Sequence, residues 1–192
     1  MIKNILALVG AIVVAAMIVA FVKFGGMMSA VQGLDKGALP AYMAMFEKVL
    51  ETGDPANAMM IEYEIEEDVT NEDAAESIHA LAEEYNMRIT GDIKMYTKDD
   101  AAPDEVKHAR IFSLCSLHIA KVFLNHSRFF GGFMPCRIML VEYGNGKRYL
   151  VTMDLELAIH GGAPLDPQML ELASLVQKSM TEIPERAAQG DF

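Results

Sequence analysis

The stretch MPCRIMLVEYGNGKRYLVTMD, residues 134–154, decides the fold. Two runs rich in Ile, Leu, Val, Tyr and Met flank Gly144-Asn145-Gly146, whose residue types accept the positive φ of a tight reversal. The spacing predicts an antiparallel hairpin with strands over 134–143 and 148–154. Upstream, residues 60–66 alternate Ile61, Tyr63 and Ile65 with Glu62, Glu64 and Glu66, the pattern of a half-buried strand with a wet, acidic face. Thr70, with Asp73 three residues on, reads as the N-cap of a helix running to about Tyr85. Ala74, Ala75, Ile78, Leu81, Ala82 and Tyr85 form its buried stripe.

Met87, Ile89, Ile93 and Met95 suggest a second strand with a bulge at Gly91. Residues 96–107 are polar, contain Pro103 and read as a loop, and 109–114 reads as a short buried strand. A helix is expected over 116–126 with Leu117, Ala120, Phe123 and Leu124 inward. Beyond the hairpin, 160–167 is a Gly/Pro loop, and 166–185 is a last helix with Met169, Leu172, Leu175, Val176 and Ile183 inward. Pro184 should end or kink it. Strand, helix, two strands, helix, hairpin and helix imply an α+β domain: one mixed β-sheet of about five strands covered by three helices.

The N-terminus is of another kind. From Ile5 to Val22 no residue is charged, and as a helix this run spans about 27 Å, close to the ~30 Å apolar core of a bilayer. Ala20-Phe21-Val22-Lys23-Phe24 offers no small-residue cleavage site, so an uncleaved transmembrane anchor over 1–24 is expected rather than a signal peptide. Residues 25–57 then read as a Gly-containing linker with a short amphipathic helix, and 58–192 as the α+β domain. On that helix Tyr42, Met43, Phe46, Val49 and Leu50 share one face, which lies either on the membrane surface or against the domain. Lysines barely discriminate the two sides of the span, and the preferred placement of the domain is extracytoplasmic (periplasmic).

The net charge is −11; Lys3 and Lys23 are the only charged side chains of residues 1–24, so the rest carries −13. An acidic domain repels nucleic-acid phosphate, which excludes nucleic acid as a partner and suits a basic redox protein. No nucleotide-binding loop, nucleophile elbow or paired His-Glu zinc motif is present. Fifteen methionines are scattered rather than arrayed with histidines and read as core filling and membrane contact.

Cys115 and Cys136 are the two cysteines. Cys115 directly precedes a predicted helix, whose dipole would lower its pKa, and His118 lies one turn on. Three readings stand: two small buried residues, a disulfide, or a thiol or metal site in which Cys115, His118, Cys136 and His160 supply ligands. The absence of a Cys-x-x-Cys-His run excludes covalent haem attachment of the usual type. Arg137, at a strand start, is a candidate anion site, and His160, in His160-Gly161-Gly162, a candidate ligand on a loop.

The runs Ile111-Phe112-Ser113-Leu114-Cys115 and Phe133-Met134-Pro135-Cys136-Arg137-Ile138 resemble the domain-of-unknown-function 302 family over roughly residues 59–192. The segment Ile159-His160-Gly161-Gly162 and the closing residues 187–192 resemble a membrane-tethered branch associated with sulfur-oxidising proteobacteria. Two departures stand out: Cys115-Ser116-Leu117 where many members have Cys-Asn-Pro, and Asp92-Ile93-Lys94 where many have Ile-Asp-His. The resemblance implies a small α+β fold that forms dimers, and no established activity. The functional expectation is a membrane-tethered, non-catalytic homodimeric domain that binds a small ligand or a redox or sulfur-pathway partner. The alternatives are a metal-, haem- or thiol-dependent redox protein using Cys115 and Cys136, and an accessory subunit of a membrane complex. No particular cofactor is indicated.

Overall fold

The computed structural model describes residues 2–192, with side chains throughout except at 2, 4, 5, 8 and 26–30. Its order is α1 (Ile2–Val31), α2 (Ala38–Thr52), α3 (Pro55–Met59), β1 (Met60–Glu64), α4 (Asn71–Glu84), β2 (Arg88–Thr97) and β3 (Val106–Cys115). Then follow α5 (Leu117–His126), a 3-10 turn η1 (Arg128–Phe133), β4 (Cys136–Tyr143), β5 (Arg148–Met153), α6 (Glu156–His160) and α7 (Pro167–Ala188).

The five strands form one sheet in the order β1-β5-β4-β3-β2, and every pairing is antiparallel, which corrects the expected mixed sheet. The reason lies between β3 and β4. The excursion through α5 and η1 returns to the end it left, so Leu114 pairs with Cys136 and β4 begins where β3 finishes. A parallel neighbour would need a crossover to the opposite end. The hairpin turns as its sequence demands: Gly146 has φ +84°, and Tyr143 N–H donates to Lys147 O at 2.9 Å.

Alternation along the strands gives the sheet two unlike faces. On one, Phe112, Leu114, Ile138, Leu140 and Leu150 are fully buried beneath α4 and α7. The alanines of α4, Ala74, Ala75 and Ala82, let it approach both sheet and α7 closely, with Ile78, Leu81 and Ile183 filling the centre. Each large side chain buried there stabilises by roughly 1.5–3 kcal/mol. On the other face, Ile93, Ile111, Met139 and Val151 make a cross-strand row that stays half-buried to exposed.

Local signals explain the element ends. Thr70 and Asp73 form the expected capping box at α4. The register of β2 slips between Ile89 and Gly91 and again between Lys94 and Tyr96, so the expected bulge is joined by a second. Pro184 does not end α7, which continues to Ala188 because Pro184 is itself packed in the core with Ile183 and Ala187. Leu117, Leu124 and Leu175, expected inward, are 56%, 45% and 53% exposed.

α1 is a continuous helix that runs on through Gly25 and Gly26 to Val31, where a joint was expected. The anchor expected over Ile5 to Val22 includes Ile5 and Leu8, whose side chains lie outside the described residues; among the described residues no helix is long and apolar enough to cross a membrane. α2 packs through Ala38 and Ala41, while Leu39, Tyr42, Met43, Phe46 and Leu50 stay exposed. It is fastened to the domain at one end: Asp35 N–H donates to Gly162 O at 2.8 Å, Tyr42 Oη–H donates to Gly161 O at 3.0 Å, and His160 Nδ1 lies 3.1 Å from Asp35 Oδ1.

Arg110 ties α4 to β2 and β3 by holding Asp92 through two bonds of 2.7 and 2.8 Å and Glu72 through one of 2.8 Å. The Arg110 guanidinium, helped by His79 and opposed by burial, lowers the Asp92 carboxyl from 3.8 to about 2. A depressed carboxyl stabilises the fold above its unfolded-chain value and loses that contribution as pH falls toward its folded value. Urea denaturation should therefore show stability declining between about pH 4 and pH 2. Arg110→Met should cost up to about 2 kcal/mol at neutral pH and flatten that decline; an unchanged acid limb would refute the assignment.

Candidate functional site

β3 delivers Cys115 and β4 delivers Cys136 to the same end of the sheet, the latter directly after the cis Met134–Pro135 peptide. The register pairs Cys136 with Leu114 rather than with Cys115. Both cysteines are free, and both border one small cavity with Leu114, Ile119 and Met134. Burial, with the neighbouring Cys115 thiol adding to it, pushes Cys136 up to about 11. Burial also raises Cys115, opposite in direction to the lowering expected at a helix N-terminus. Neither environment favours the thiolate that nucleophilic or redox chemistry requires.

The remaining candidates are dispersed. His118 is exposed on the first turn of α5 and His160 closes α6 against Asp35. Among the described residues no three His, Cys, Asp or Glu side chains are grouped to hold a metal ion, so Cys115, His118, Cys136 and His160 are not gathered as a ligand set. Arg137 lies on the half-open face of the sheet opposite Ser113, and its carbonyl accepts from Thr152 Oγ1 at 2.9 Å. Its guanidinium, unlike those of Arg110, Arg148 and Arg186, makes no ion pair or hydrogen bond among the described residues.

What does gather beside Arg137 is a cleft of two lobes. The smaller, about 230 Å³, lies over Ile111, Met139 and Val151 and has Arg137 and Cys136 in its wall. The larger, about 410 Å³, runs beneath α2 and is lined by Met45, Met59, Leu157 and Lys48. Met60, Phe133 and Met153 line both, with Met60 and Met153 paired in register across β1 and β5. These volumes fall in or near the range of small-molecule sites, which are mostly apolar with a few placed polar groups. The carboxylates at the larger lobe are engaged: Asp154 Oδ1 accepts from Glu156 N–H at 2.9 Å, and Glu156 Oε2 accepts from Gln177 at 3.0 Å. Cys136 is the thiol in the cleft wall, and burial raises its pKa.

Sequence reasoning singled out Arg137 and Cys136 but missed the methionine wall. The readable trace was the presence of methionines at both ends of the outer strand pair, Met59-Met60 and Met153, which becomes a cluster only once β1 is known to lie beside β5.

A family model described as "Domain of unknown function DUF302" matches residues 61–187. Among solved structures, the crystal structure of an uncharacterized conserved DUF302 protein from Bacillus stearothermophilus is similar at 13% identity and a TM-score of 0.49, covering 67% of this chain and 98% of that one. No curated protein matches the chain. The matched segment begins within β1, ends one residue short of the last residue of α7 and takes in well over half of the sequence, and the chain belongs to the DUF302 family.

Proposed function

We propose that the protein is a membrane-tethered, non-catalytic domain that binds a small apolar ligand in the two-lobed cleft. The cleft itself carries the reading: it is lined mostly by apolar side chains, with Arg137 in one lobe and Lys48, Asp154 and Glu156 in the other. The tether is supported by α1, thirty residues and roughly 45 Å long, in which no residue from Ile5 to Val22 is charged and Leu6, Val9, Ile12, Met17 and Ile18 are exposed. The preferred side is the extracytoplasmic one, where a −13 domain would also attract a basic redox or sulfur-pathway partner. Pairing into a homodimer would cover the exposed Ile93, which lies beyond the smaller lobe on the open sheet face.

Three measurements test this. Membranes carrying the full chain should retain it through an alkaline carbonate wash and release it into detergent; release by carbonate alone would remove the tether. Iodoacetamide at pH 8 should leave Cys136 unmodified in the folded protein and label it in denaturant, because burial pushes the thiol up to about 11. Rapid labelling of native protein would instead favour the thiol-dependent redox reading. Analytical ultracentrifugation should show a dimer whose dissociation constant rises at least tenfold in Ile93→Lys, whose side chain is already 57% exposed in the single chain.

A further inference from the structure

Resting on the reading of the cleft as a ligand site, we propose that its ligand is a single-chain fatty acid. The carboxylate sits against Arg137, and the alkyl chain passes Met60, Phe133 and Met153 into the lobe beneath α2. Charge placement argues for the anionic head. In a chain of net charge −11, Arg137 is, among the described residues, the only charged side chain in the wall of the smaller lobe, and none of their carboxylates pairs with it. Arg137 is exposed at the rim of this lobe, where its planar guanidinium can bind a carboxylate through two parallel hydrogen bonds.

Wall chemistry argues for the alkyl chain. Six of the fifteen methionines, Met45, Met59, Met60, Met139, Met153 and Met180, line the two lobes. Unbranched thioether side chains repack around flexible apolar ligands and are enriched on surfaces that accept them. Size argues for one chain: lobes of about 230 and 410 Å³ admit a single alkyl tail and leave no room for the second tail of a bilayer phospholipid. The position argues for a lipid source. The larger lobe is walled by α2, whose opposite side presents Leu39, Met43, Phe46 and Leu50 to the surroundings, and α2 follows α1 after a six-residue turn.

The test uses the full chain in lipid nanodiscs with hexadecanoic acid bearing a diazirine on its tail, and with a diazirine alkane of equal length. After irradiation, the fatty-acid probe should label peptides containing Met59, Met60, Phe133 or Met153. Unlabelled hexadecanoate should compete, while hexadecane and lysophosphatidylcholine should not. Arg137→Gln should reduce cleft labelling about tenfold and Arg137→Lys should restore part of it, with unchanged thermal unfolding showing that both variants fold. Several results overturn the proposal: labelling confined to α1, equal competition by hexadecane, competition by lysophosphatidylcholine, or indifference to Arg137→Gln. The two levels separate cleanly. If the alkane labels the cleft and the acid has no advantage, the carboxylate ligand is lost and the apolar site stands; if neither probe reaches the cleft, the site itself is lost. Saturable Cu(I) binding that blocks labelling and survives Arg137→Gln would assign the thioethers to a metal instead.

Discussion

The rest of the structure depends on β1 and β2, neighbours in sequence, lying at opposite edges of the sheet. α4 must carry the chain between them, and in doing so it covers the β2 side of one sheet face while α7 covers the β1 and β5 side. Nearly all the fully buried side chains fall in that sandwich. The second face receives no comparable helix pair, so its apolar row remains available, and the cleft forms where α2 and η1 border it. The packed core and the half-open apolar row thereby lie on opposite sides of one antiparallel sheet, the arrangement such sheets permit more readily than parallel ones.

Much of the fold was legible because its signals were local. The Gly144-Asn145-Gly146 reversal, the Thr70–Asp73 capping box and the alternation of residues 60–66 each depend on neighbours within a few positions. Sheet polarity was not legible, because it follows from where the α5–η1 excursion ends in space. The short α3, α6 and η1 were missed, since helices of five or six residues show too few turns for a period. Pro184 misled for the opposite reason: a rule about isolated helices was overridden by tertiary packing.

The site divides in the same way. Cys115 and Cys136 were found as a pair because they are the two cysteines of the chain; the fold brings both to one small cavity, where burial suppresses their ionisation. Arg137 was legible as an anion candidate from its position at a strand start. The methionine wall was not, because its members come from α2, α3, β1, β4, β5 and α7 and meet only in the folded chain. Asp92 and Lys94, noted as a departure from the family pattern, turn out to hold Arg110 and Glu72, so this edge of the sheet is occupied by ion pairing.

The bonds that fasten Asp35 and Tyr42 to the His160–Gly162 segment have a mechanical consequence. Three residues separate the end of α1 from Asp35, a reach of about 10 Å even when extended. A domain on so short a leash cannot roam or tumble freely about its attachment. The position of α1 therefore limits where the larger lobe can lie, because α2, which walls that lobe, is tied to the domain just past this short link.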